Sequence, residues 1–351
     1  MKRIIYCLFS LLAVLACTKQ VDPVKTTGET ATVVVNVFEG ALSTKADAYL
    51  EQQTYEKQIN NVQILVFDEA GRLNAYKNAG TAVSDIALTT TTGAKQIWAV
   101  VNGPDVSGIA HLDRLKAIEV ALGDNSIVAS KGFIMVGSTN YTVSNANTSP
   151  ASITVSRLLS RIALRSVTNA TPVAYGNMVI VNAYLQNVVG NLTLGNGNAD
   201  ELVWLNKMGR DADGSTIDGV TASADDPTLT FCDLNETVAS GTSYSPDVPD
   251  FFYCYKNNAT TYSTSTTWSA RKTAMTIAVK FPAVDSEIRY YTVVLPDKRT
   301  GTISQNTAYT VDVTVTGLGS TDPTTPVEKG DFNAAITVAE WSTGAVLDEN
   351  L

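Results

Sequence analysis

Four cysteines and one histidine carry most of the reactive side-chain chemistry in this 351-residue chain. Two of the cysteines lie at the start. Met1-Lys2-Arg3 is followed by a mostly apolar block from Ile4 to Ala16, and then by Cys17. A short basic region, an apolar core and a small residue form the pattern of a secretory signal peptide, too short to span a bilayer. Cys7 leaves with that peptide, and Cys17 becomes the first residue of the exported chain. Cys232 and Cys254 then remain in an exported, oxidising setting. A disulfide between them would close a loop of about 22 residues and contribute roughly 3 kcal/mol. Two buried free thiols is the other reading, because spacing alone does not show contact.

The remaining chemistry is thin. His111 stands alone, which excludes a two-histidine zinc motif, and the sequence has no GxSxG elbow, P-loop or CxxC pair. His111 reads as a surface helix residue. Asp225-Asp226 stand beside Pro227 and read as a solvated turn. Asp211-Ala212-Asp213-Gly214-Ser215 offers closely spaced oxygen ligands, as calcium loops do. It lacks the EF-hand glycine position and terminal glutamate, and reads as a polar loop. Trp98, Trp204, Trp268, Tyr290 and Tyr291 are the aromatics available for a glycan platform, although sandwich cores use aromatics in the same way. The chain therefore reads as a non-enzyme, with no catalytic residue, metal site or cofactor.

Composition narrows the class further. The formal net charge is -9, and loss of Lys2 and Arg3 would take it to -11. With a pI near 4.7, the chain is a poor binder of nucleic acid. Charged residues are only 17%, while Thr, Ser, Asn, Val and Ala abound, a mix that favours strands with polar outer faces. No second segment is long and apolar enough to cross a membrane as a helix.

Strand signals dominate. Residues 31–38 (ATVVVNVF) alternate, and 61–67 (NVQILVF) form a more continuous apolar run. Further strands are predicted at 96–101, 133–137, 151–155, 161–167, 178–185, 192–194, 228–232, 251–255, 273–281, 288–295 and 308–316. One helix is predicted over about 107–122, with Ile109, Leu112, Leu115, Ile118 and Ala121 on one stripe. A boundary is read at 168–172 (TNATP), and 317–331 as a linker rich in Gly, Pro, Ser and Thr. A final strand spans 332–341. Many strands and one helix predict two β-sandwiches.

The two ends of the chain match each other. In the last strand Phe332, Ala334, Ile336 and Val338 form one apolar face; in the first, Ala31, Val33, Val35 and Val37 do the same. Two such strands could occupy one groove, one from its own chain and one from a neighbour. Backbone bonds would then supply affinity and alternating pockets would supply register.

Two resemblances enter here. Val14-Leu15-Ala16-Cys17 resembles the lipobox of bacterial lipoproteins, which implies cleavage before Cys17 and lipid attachment to it. Each buried acyl methylene contributes roughly 0.8 kcal/mol, so several chains hold a protein on a membrane. ATVVVNVF, IWAVVNGP, MVGSTN, SRLLSRIALRSV, AYTVDVTVTG and ITVAEW, in that order, resemble fimbrillins, the pilus subunits of Gram-negative anaerobes. The resemblance implies an all-β chain of two transthyretin-like Greek-key sandwich domains, with one short helix in the first. It implies a signal peptide at 1–16, a propeptide with an excisable first strand at 17–45, domains at 46–168 and 169–316, and a linker with donor strand at 317–351. A Lys/Arg-specific protease would cut between Lys45 and Ala46, with Lys57 as a second candidate. The first strand would leave, and a neighbour's Phe332, Ala334, Ile336 and Val338 would fill its groove. The partners implied are other copies of the chain, accessory fimbrillins, the outer membrane through lipid, and host or bacterial surface ligands in adhesion and biofilm formation. Tip subunits tend to lack the donor extension, and anchor subunits tend to keep the first strand. A chain with both an excisable strand and a donor strand is read as a stalk subunit. A tip or anchor fimbrillin, or a non-polymerising glycan- or protein-binding lipoprotein, are the alternatives.

Overall fold

The computed structural model of the chain describes residues 28–39, 53–128, 130–146, 149–199, 202–207, 229–260, 269–295, 302–323 and the strand Phe332–Glu340. Its first half contains β1 (Thr30–Glu39), β2 (Val62–Phe67), β3 (Leu73–Asn78), β4 (Ile86–Thr91), β5 (Gly93–Val101), β6 (Glu119–Ala121), β7 (Met135–Val143) and β8 (Ala151–Arg157). All but β6 join one sheet in the order β3-β2-β5-β7-β8-β1-β4. β1 runs antiparallel to β4 and parallel to β8, so it lies inside the sheet.

This sheet folds over on itself. Val33, Val35 and Val37 of β1, Ile86 and Leu88 of β4, and Ile153 and Val155 of β8 share one buried cluster with Val62, Ile64 and Val66 of β2 and Ile97, Ala99 and Val101 of β5. The fold-over runs through the β7–β8 junction, where the two strands pair only at Met135–Arg157 and Val136–Ser156. Gly137 follows directly, and a Cβ there would stand 2.1 Å from the Thr154 carbonyl oxygen. Only glycine allows that approach, so Gly137→Ala should cost about 3 kcal/mol, read as a lower urea midpoint. The outer edges are tied by side chains. Thr91 donates its N–H to Asn74 Oδ1 at 3.0 Å, and Lys77 Nζ donates to the Ala87 carbonyl at 3.0 Å.

β2 is buried along its whole length. Val62, Ile64 and Val66 face the cluster just described, while Leu65 and Phe67 face a second, larger one. That is why its sequence is a continuous apolar run rather than an alternation.

The expected helix over 107–122 is much shorter. Only α1, Leu112–Lys116, is helical, and β6 follows at Glu119–Ala121. Backbone partners elsewhere explain the difference. Leu73 N–H donates to the Ala110 carbonyl and Leu112 N–H to the Gly71 carbonyl, so the preceding segment is extended against the β2–β3 turn. Beyond the helix, β6 pairs with Asn191–Thr193. His111 caps the helix: its Nδ1 accepts from Asp113 N–H at 3.3 Å, and Nε2–H donates to the Ala70 carbonyl at 3.1 Å. The apolar stripe still packs, with Leu112 and Leu115 buried.

The second half contains β9 (Leu159–Asn169), β10 (Met178–Gln186), β11 (Val188–Val189), β12 (Asn191–Thr193), β13 (Trp204–Leu205), β14 (Phe231–Val238), β15 (Ser243–Tyr244), β16 (Asp250–Tyr255), β17 (Ala274–Lys280), β18 (Ile288–Val294), β19 (Thr307–Val315) and β20 (Phe332–Glu340). One sheet runs β14-β10-β17-β18; the other runs β15-β9-β19-β20, with β16 also on β9. Ile180, Leu185, Ile277 and Val279 of the first share the larger cluster with Leu164, Phe252, Val311 and Val313 of the second. That cluster continues through Trp98, Leu65 and Phe67, so both halves share it. The chain crosses from the first sheet to the second system at Leu158, between β8 and β9. The fold is all-β apart from α1 and short 3-10 turns. No helix among the described residues is long and apolar enough to cross a membrane.

Candidate assembly site

β1 fills a groove between β4 and β8. Its buried residues are Ala31, Val33, Val35 and Val37, and Val35 has no exposed surface. On one side Val33 pairs with Leu88 and Val35 with Ile86; on the other, Val35 pairs with Ala151 and Val37 with Ile153. Asn36, on the outer face, accepts from Asp85 N–H at 2.8 Å. The alternation that marks this strand in the sequence is therefore the pattern of its burial.

At the far end of β1, Glu39 forms an ion pair with Arg157, whose side chain is 1% exposed. Arg157 also donates through Nε at 3.1 Å and Nη2 at 2.8 Å to the Glu56 carbonyl. Burial, reinforced by the charge of Arg161, pulls Arg157 down to about 9. Glu56 closes a second set of contacts. Its carboxylate meets Arg161 Nη1 at 3.1 Å and accepts from the Tyr253 hydroxyl at 2.6 Å. The Tyr55 and Tyr253 hydroxyls lie 2.9 Å apart. Burial holds the Glu56 carboxyl above the ordinary range, against the pull of Arg161. These contacts join the end of β1, the turn Thr54–Lys57, and strands β8, β9 and β16 at the junction of the two halves.

The sequence reading named none of Glu39, Glu56, Arg157 or Arg161 as site residues. The available signal was the pair of arginines flanking Leu158-Leu159-Ser160 in an otherwise apolar strand region. Of the residues it did name, Cys17, Lys45 and Ala46 lie outside the described residues, as do Asp211, Asp213 and Trp268. Phe332, Ala334, Ile336 and Val338 belong to β20, which pairs antiparallel with β19 of its own chain, from Val315–Phe332 to Thr307–Glu340. Among the described residues β20 is the end strand of that sheet, bonded on one side.

Cys232 and Cys254 are free thiols rather than a disulfide. They sit on β14 and β16, strands of different sheets. Cys232 Sγ contacts Asp250 at 3.7 Å, and Asp250 starts the strand that carries Cys254. Four residues of strand put the two sulfurs roughly 13 Å apart, too far to bridge. Burial pushes the Cys254 thiol up to about 12, and burial with Asp250 pushes Cys232 up to about 11. Peptide maps of the native protein with and without reductant should therefore coincide over 229–260, and Cys254 should resist alkylation until the chain unfolds.

Among the described residues no three His, Cys, Asp or Glu side chains gather as metal ligands. Over residues 31–316 the sequence matches the family described as major fimbrial subunit protein (FimA). The chain belongs to that family. No curated protein matches it significantly. Solved structures share its fold. A candidate cell adhesion protein from Bacteroides eggerthii is 20% identical with a TM-score of 0.61, over 90% of this chain and 98% of its own. A fimbrilin (FimA) from Porphyromonas gingivalis is 15% identical with a TM-score of 0.58, over 90% and 98%. The C-terminally truncated tip fimbrial protein Mfa3 from Porphyromonas gingivalis is 12% identical with a TM-score of 0.52, over 88% and 100%. As a fimbrial subunit, the protein is a structural component of cell-surface fimbriae, assembled with other subunits. The same fold serves a fimbrilin and a tip protein, so position within a fimbria must be argued from the ends of the chain.

Proposed function

We propose that this fimbrial subunit forms the stalk and polymerises by protease-assisted strand exchange, in support of adhesion and biofilm formation. The precursor is exported, lipidated on Cys17 and carried to the outer membrane. A Lys/Arg-specific protease cuts between Lys45 and Ala46, β1 leaves, and the last strand of a neighbour enters the groove. The observation that carries this reading is the place of β1: an interior strand with its apolar face in the core, ahead of the segment that holds the proposed cut. Release of such a strand opens a full-length groove with two unpaired ladders, which another strand can satisfy. β20 suits the donor role because it is an end strand bonded on one side.

The Glu56 contacts favour Lys45 over Lys57 as the cleavage site. Lys57 is exposed, but a cut after it would free the segment carrying Tyr55 and Glu56 from β9 and β16. N-terminal sequencing of subunits from purified filaments tests the processing. The expected first residue is Ala46. A start at Gln58 moves the cut to Lys57, and filament subunits that keep residues 30–39 contradict the exchange.

A further inference from the structure

β1 and β20 end on the same residue type at the same phase. In β1 the buried alternation runs Ala31, Val33, Val35, Val37, and Glu39 follows on that phase. In β20 the same phase runs Phe332, Ala334, Ile336, Val338 and then Glu340. Each segment thus has four apolar positions followed, two residues on, by a carboxylate. In β1 that carboxylate meets the buried guanidinium of Arg157. A buried cation that loses a carboxylate is costly, so whatever replaces β1 is favoured if it brings one back to this point.

We propose that Glu340 of a second copy of the chain replaces Glu39 on Arg157, and that this ion pair sets the register in which subunits join. The inference rests on the strand-exchange reading and adds the register to it. The register places Phe332 where Ala31 was, Ala334 at Val33, Ile336 at Val35 and Val338 at Val37. The larger residue at the first position is partly offset by the smaller one at the second. Other registers fail on charge. A two-residue slip in one sense drives Glu340 into the position of Val37, among Ile153 and Val155. A slip in the other sense sets Val338 against Arg157. A one-residue slip turns the apolar face outward. Reversed insertion would exchange the antiparallel ladder to β4 and the parallel ladder to β8, and would carry Glu340 away from Arg157.

The outer face of the strand reports the register without touching the ion pair. Asn36 pairs with Ser152 across the β1–β8 ladder, and Ser152 is exposed. In the proposed register Thr337 of one copy takes the place of Asn36. Filaments grown from a mixture of Ser152→Cys and Thr337→Cys chains should therefore form a disulfide between subunits on mild oxidation. Thr337→Cys paired with Thr154→Cys reports the slip that sets Val338 against Arg157, with Ala87→Cys the slip that buries Glu340, and with Thr89→Cys the reversed strand. A cross-link at any of those positions overturns the register and leaves strand exchange standing. Filaments that cross-link at none of the four overturn both. As a second arm, Glu340→Lys should slow filament growth about 100-fold while the melting of the precursor is unchanged. Growth at the parental rate would remove Arg157 from any role in joining subunits.

Discussion

Val35→Asp should leave no stably folded precursor. Val35 has no exposed surface and sits at the middle of the β1 face that closes the first sheet. The change removes apolar burial of about 1.5–2 kcal/mol and forces a carboxylate into a cluster of Val, Ile and Leu side chains. Together the cost should be about 5 kcal/mol, comparable to the whole stability of a domain. Circular dichroism and limited proteolysis of the expressed precursor provide the readout, with loss of the cooperative transition expected. The exposed neighbour Thr32 is the control, since Thr32→Asp should change stability by less than about 0.5 kcal/mol. A Val35→Asp precursor that melts like the parent would mean that β1 is not part of the core, and the groove argument would fall with it.

The contrast between β1 and its surroundings also shows what the sequence makes legible. Strands with a clean apolar phase, such as β1 and β8, can be read directly, because one face meets a core and the other is more open to solvent. β3 and β4 are missed for opposite reasons. β3 is half-buried over its first four residues, exposed at Lys77 and Asn78, and has no apolar phase to read. β4 alternates, but its threonines resemble a polar loop. The helix was overestimated because periodicity records which residues are buried, not which backbone partners are available. Between the strands read at 151–155 and 161–167 the chain passes from one sheet to the other: Arg157 closes the first and Leu159 opens the second. The polar contacts of Glu39, Glu56, Arg157 and Arg161 join residues far apart in sequence, and no spacing rule brings them together. The pairing of Cys232 and Cys254 stays open in the sequence for that reason too: strand assignment alone does not place β14 and β16 in different sheets.

Glu56→Ala is the second large effect. It strips Arg161 of the carboxylate 3.1 Å away and Tyr253 of its acceptor, with both side chains fully buried. Breaking a buried pair by removing one partner costs about 3–5 kcal/mol. Because the contacts span β9, β16 and the turn before β2, urea unfolding should shift to a lower midpoint in both halves together. Glu56→Gln keeps the shape and should cost less. Its pH profile carries a further sign. A carboxyl held above its ordinary value of 4.5 in the fold binds its proton more tightly there than in the unfolded chain. Stability linked to that proton is full below the ordinary value and is lost as pH rises through the raised one. Relative to Glu56→Gln, the parent should therefore lose stability as pH climbs above 4.5. A constant difference across that range would mean that Glu56 titrates normally.

The central claim is that one copy completes another through its last strand. Its most direct measurement is the chain truncated after Gly330, observed for both folding and filament formation. The described structure ends its second sheet with β20 on β19, so truncation removes an end strand and leaves β9, β16 and β19 in place. The account predicts a folded, exported subunit, with a cooperative melt and a normal secreted yield, that produces no filaments by electron microscopy. Filaments of normal length from the truncated chain would contradict it.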